Sequence, residues 1–226
     1  EDALTWNVFR YLHKEGYLES FLAFVSNLRV SDSELIYWSY SQVANGTWPL
    51  LTDARIQFGE QPNRSSEPDL IAVTPEALFF IENKLTANNA TVPSSQANQK
   101  AYTSGENEWY RRVFNSDFET VAITSKMYEL LRFWLLGTWI ADKMNCDFFL
   151  VNVVRESKER QIVNLFSSHI VLGPSRHFLR LTWEEIYYYI ANNPLATLSK
   201  KQIISYFENK TIGYAPDGSL QKAFSL

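Results

Sequence analysis

"EPDLIAVTPEALFFIENKL", residues Glu67 to Leu85, constrains the fold more than any other stretch of the chain. Two apolar runs flank "TPEA", and Pro75 in the second position of a four-residue turn has the fixed φ such a turn favours. The stretch is therefore predicted to be a hairpin of strands Asp69 to Thr74 and Leu78 to Lys84. With that turn, Val73 faces Leu78, Ile71 faces Phe80 and Asp69 faces Glu82. Alternation places Lys84 on the face of Asp69 and Glu82, while Leu70, Ala72, Phe79, Ile81 and Asn83 point the other way.

Two carboxylates directly opposed on one face repel, and burial would force one to keep its proton unless a cation sat between them. A hard divalent ion such as Mg²⁺, or Mn²⁺ in its place, takes carboxylate and water oxygens and suits the pair. Glu1 falls within the inward arc of Leu4, Val8 and Leu12 at helical spacing. It reads either as a further metal ligand or as an acid complementing the helix dipole.

The remaining pattern surrounds the hairpin with helices. Helices are expected over Asp2 to Lys14 and Leu18 to Leu28, and a strand over Asp53 to Phe58 from its alternation. A helix beginning in "SSQANQKAY", with serine capping candidates, precedes a long buried helix from about Ser125 to Lys143 and an apolar strand from Cys146 to Val154. Beyond these lie a helix over Ser157 to Ser168, a strand over His177 to Leu181 and helices over Trp183 to Ala191 and Leu198 to Asn209. The fold class is α/β: a mixed central sheet flanked by helices, read as one domain, residues 1–226, with its core over about 1–154 and extra C-terminal helices.

Composition narrows the function classes. Hydrophobic residues make up 46% and charged residues 20%, enough apolar material for one large core. A net charge of −4 lacks the basic signature of a dedicated nucleic-acid binder, so a polyanionic substrate would need local basic groups or metal ions. The single cysteine, Cys146, forms no internal disulfide and suits a reducing compartment, the cytoplasm. The longest apolar stretch, Phe133 to Ala141, is too short to span a membrane, and no signal-peptide pattern opens the chain. His13, His169 and His177 have no ligand spacing among them, and no Gly-rich phosphate loop is present.

"EPDL" followed by "FFIENKL" resembles the Pro-Asp…(Asp/Glu)-x-Lys signature of the PD-(D/E)xK, restriction-endonuclease-like nuclease superfamily, through Pro68, Asp69, Glu82 and Lys84. The order helix, three strands, helix, strand is similar to that superfamily's shared core, and "EDALTWNVFRYL" looks like the opening helix of many bacterial members, where an acidic residue joins the metal site. The resemblance implies Mg²⁺-dependent hydrolysis of DNA phosphodiester bonds by an endonuclease of restriction or defence type. Asp69, Glu82 and Lys84 would be catalytic, with Glu1, Asp69, Glu82 and the backbone carbonyl of Asn83 as metal ligands. It also implies a homodimer, since many members cut two strands as dimers.

Gln99 and Tyr102 fall on the helix where several families of this superfamily place a phosphate-contacting Gln; they read as substrate contacts or as an exposed helix face. Lys100, Arg111 and Arg112, interleaved with Tyr102, Trp109 and Tyr110, read as DNA contacts or as a solvated face with aromatic anchors. Two other readings bear on the charged trio. Carboxylates opposed at ~5 Å, with a lysine two residues on, fit a metal cradle better than a glycosidase pair spanning a sugar. A catalytically inactive binding or assembly module would use the trio as a buried ion-pair cluster.

Overall fold

The computed structural model describes residues 2–60, 67–94, 99–194 and 197–226. Its architecture is three-layered: a mixed seven-stranded sheet, counted among the described residues, with helices on both faces. Helices α1 (Asp2–Lys14) and α2 (Leu18–Ser26) open the chain, followed by strand β1 (Glu34–Tyr37), the short strands β2 (Tyr40–Ser41) and β3 (Gly46–Thr47), and helix α3 (Pro49–Gln57). The hairpin strands β4 (Leu70–Val73) and β5 (Ala77–Lys84) come next. Helix α4 (Gln99–Val113), a π-helical turn at Thr120–Thr124 and helix α5 (Tyr128–Met144) lead to β6 (Asp147–Val154). The remainder is α6 (Ile162–Ser167), β7 (Arg176–Thr182), α7 (Trp183–Asn192), α8 (Leu198–Asn209) and a small antiparallel hairpin of β8 (Thr211–Tyr214) and β9 (Leu220–Lys222).

The strand order is β3-β2-β1-β4-β5-β6-β7. β4 runs antiparallel to both β1 and β5, whereas β5, β6 and β7 run parallel. Parallel neighbours need a crossover, which α4 and α5 supply between β5 and β6. A strand covered on both faces reads as a continuous apolar run, and all eight residues of β5 are buried. Its alternation divides the core. Leu78 and Phe80 join the cluster formed with α3, α4, α5 and α6, while Phe79 and Ile81 join the cluster formed with α1, α2, α7 and α8. No helix among the described residues is long and apolar enough to cross a membrane.

Three expectations are corrected. Residues Asp53 to Gln57 belong to α3, with Phe58 as its C-cap, and not to a strand. The alternation there was misleading because Ile56 is 63% exposed, whereas Arg55 is buried with Leu51, Ala54 and Phe58 at helical spacing. Pro49, in the first turn where no N–H is needed, starts that helix. The first of the three core strands is instead β1, paired with β4. The helix expected from Ser157 begins at Ile162, because the carbonyls of Arg155, Glu156 and Lys158 accept from the Arg180 guanidinium rather than continuing a helix. The C-terminal hairpin had no signal: Thr211 to Tyr214 is short and half exposed. The helix start expected near Ser95 lies outside the described residues.

Candidate active site

The hairpin register matches the sequence expectation: Leu70 pairs with Ile81, Ile71 with Phe80, Ala72 with Phe79 and Val73 with Leu78. Thr74 closes the turn. Its N–H donates to Ala77 O at 3.0 Å and its hydroxyl oxygen accepts the Ala77 N–H at 2.9 Å. The next position past Leu70 and Ile81 sets Asp69 opposite Glu82. There the ladder gives way to side-chain bonding: Asn83 N–H donates to Asp69 Oδ2 at 2.8 Å, and Trp38 N–H donates to Asp69 O at 3.3 Å. Asp69 is thus tied to both neighbouring strands while its side chain stays half-buried.

Glu82 and Lys84 share a face and touch. Lys84 Nζ donates to Glu82 Oε1 at 2.6 Å and to Glu129 Oε2, in the first turn of α5, at 2.8 Å. Burial, then the nearby Asp69 charge, raises the Glu82 carboxyl well above its ordinary value of 4.5. Burial alone would make Lys84 release its proton more readily, but Glu82 and Glu129 reverse this and hold the ammonium charged. Glu82 and Glu129 therefore share one ammonium, with Asp69 close enough to Glu82 to raise its carboxyl, so carboxyl groups outnumber cations at the end of the hairpin.

The donor set fits a hard divalent cation. Glu82 Oε2 is buried without a protein partner, which is costly for an ionised oxygen unless a cation or water meets it. Asp69 and Glu82 would hold the ion, with the carbonyl of Asn83, a residue paired with Val153 on β6, as a further oxygen. Among the described residues, no three His, Cys, Asp or Glu side chains are arranged to hold a metal unaided, so backbone or amide oxygens and water would complete the shell. Glu1, the other expected ligand, lies outside the described residues.

Few of the expected substrate contacts meet at this centre. Tyr102 is fully buried, and its hydroxyl donates to Glu60 Oε1 at 2.8 Å. Arg132 grips the same carboxylate, Nε to Oε1 at 2.8 Å and Nη2 to Oε2 at 2.7 Å. Arg111 is exposed and paired with Glu108. Arg112 stacks over Trp109, and its carbonyl accepts from Arg176, which pairs with Phe148. Phe148 precedes Asn152, the residue level with Glu82, by four positions along β6, which puts Arg112 roughly 13 Å down the strands from Glu82. Gln99 and Lys100 begin α4, Gln99 half-buried and Lys100 exposed.

Sequence reasoning missed three groups. Glu129 carried a signal only as the acid in the first turn of α5. Asn152 stands out as the one amide in the apolar run "DFFLVNVV". Trp38 is 39% exposed beside Asp69, with Trp6 stacked near it at 6.2 Å and the Arg10 guanidinium 5.0 Å from the Trp6 ring. Trp38 and Ser39 both have positive φ, as the two central residues of a type I′ turn between β1 and β2 require. Compared with known proteins, the chain matches no family model, no curated protein and no solved structure.

Proposed function

We propose that this chain is a metal-dependent nuclease of the PD-(D/E)xK kind that hydrolyses DNA phosphodiester bonds in the cytoplasm. The observation that carries the reading is the hairpin register, which sets Asp69 opposite Glu82 and brings the Lys84 ammonium to within 2.6 Å of Glu82. The element order supports it, with α2, β2, β3 and α3 interposed: α1, then the antiparallel β1, β4 and β5, then α4 and α5, then β6 parallel beside β5.

A bound Mg²⁺ would acidify a water and neutralise charge growing on the phosphate. Asp69 and Glu82 would hold that ion, and the protein fixes Asp69 through the Asn83 N–H. Lys84 donates to the attacking water or to the phosphoryl oxygens, a role for a compact ammonium kept charged by its neighbours. Glu129 steadies the lysine through a second charged hydrogen bond. The exposed Trp38 and the half-buried Trp6, with Arg10, offer ring surface and a positive charge for a base and phosphate beside Asp69.

An inactive module is the second reading, favoured by one observation: in this structure Lys84 is already engaged by two carboxylates. Incubation with supercoiled plasmid and single-stranded DNA in Mg²⁺ or Mn²⁺, with chelated controls, decides between them. Cleavage lost on chelation supports the nuclease, and intact DNA under every condition supports the module.

A further inference from the structure

Asn152 is the most conspicuous unexplained group near the centre. It pairs in register with Glu82 across the parallel strands β5 and β6, between the apolar pair Phe80–Leu150 and the pair Lys84–Val154. Alternation puts it on the Glu82 face, since Phe148 and Leu150 share the core cluster of Leu78 and Phe80. Its side chain is fully buried, yet neither its amide nitrogen nor its amide oxygen has a protein partner. On its other side, in register on β7, Arg180 directs its guanidinium to the carbonyls of Arg155, Glu156 and Lys158. An aliphatic residue would fill such a position without the cost of burying an unpaired amide.

The partnerless Glu82 Oε2 and the partnerless Asn152 amide therefore lie side by side on one sheet face, one strand spacing apart. We propose that Asn152 is a metal ligand of this centre, its Oδ1 joining Glu82 Oε2 on a hard divalent cation. Amide oxygens serve such ions alongside carboxylates, and an Asn supplies a ligand without adding to the negative charge already present. The assignment extends the nuclease centre on β5 to β6 and rests on that centre binding metal.

Mn²⁺ alone is the probe, titrated into the full chain with the free ion followed by its electron paramagnetic resonance signal, in the absence of DNA. Wild type binds, Glu82→Gln loses binding, Asn152→Ala weakens it roughly tenfold to a hundredfold, and Asn152→Asp retains or tightens it. Thermal unfolding of each variant shows whether it is folded. If Asn152→Ala fails to fold, Asn152→Asp carries the test, and weaker binding by that variant overturns the proposal. Wild-type affinity in folded Asn152→Ala, with binding lost in Glu82→Gln, also overturns it while leaving the Asp69–Glu82 centre standing. No Mn²⁺ binding by wild type, or equal binding by wild type and Glu82→Gln, removes the metal centre itself and this assignment with it.

Discussion

Lys84 and Glu129 are joined by a 2.8 Å charged hydrogen bond that ties the end of β5 to the first turn of α5. It holds the same ammonium that donates to Glu82. Replacing Glu129 with Gln keeps the shape and removes the charge. Single-turnover DNA cleavage should then fall on the order of 10- to 100-fold from a misplaced lysine. Unchanged cleavage would show that Lys84 needs no second carboxylate.

Glu82 makes stability depend on pH in a direction opposite to that of a salt-bridged surface carboxylate. Its folded-state value lies above 4.5, so the folded chain binds more protons than the unfolded chain once the pH exceeds 4.5. Its contribution is fully present below that point and is lost as pH rises through the elevated value, at roughly 1.4 kcal/mol per pH unit at most. Wild type minus Glu82→Gln, followed by thermal unfolding without metal, should show this decline. Added Mn²⁺ should reverse it for wild type alone.

The Arg132–Glu60 pair, with both side chains at most 3% exposed, anchors the chain just before the segment leading to Asp69. Removing Arg132 leaves the buried Glu60 carboxylate with only the longer 3.7 Å approach of Arg55 and the Tyr102 hydroxyl. Arg132→Ala should cost about 3–5 kcal/mol, whereas Tyr102→Phe, which deletes one hydrogen bond to Glu60, should cost about 1 kcal/mol. Denaturant unfolding of the two variants measures the difference, and equal costs would contradict the placement of the charge pair.

The hairpin was legible because its two constraints are local. The closure by Thr74 and Ala77 sets the pairing, and strand alternation then assigns Asp69, Glu82 and Lys84 to one face. What escaped was set by distant partners. Arg55 looks like a solvent-facing strand residue until Glu60 and Glu67 are brought to it, and its burial is what makes Ile56 the exposed position of a helix. Glu129 and Asn152 lie 45 and 70 positions from Lys84 and Glu82, and only the crossover through α5 brings them alongside.

Gly137 marks how tightly that crossover packs. A Cβ there would lie 2.1 Å from Phe148 Cζ, so α5 rests on β6 through a residue with no side chain. Gly137→Ala should destabilise by about 1–3 kcal/mol, and Phe148→Leu in the same chain should recover part of the loss. Strictly additive costs for the double variant would show that the two positions do not meet.

Cys146 should behave as an inert thiol. Burial and the neighbouring Asp147 push it up to about 11. Alkylation by iodoacetamide at pH 7 should run on the order of 100-fold slower than for free cysteine. Reaction at the free-cysteine rate would contradict its half-buried placement.

The central claim is that Asp69, Glu82 and Lys84 form one hydrolytic centre, and the most direct measurement is cleavage of end-labelled DNA in Mg²⁺ by wild type, Asp69→Ala, Glu82→Gln and Lys84→Ala purified identically. The account predicts cleavage by wild type, abolished by chelation and reduced at least about 100-fold in each variant. Equal cleavage by all four proteins, or none by wild type, would contradict it.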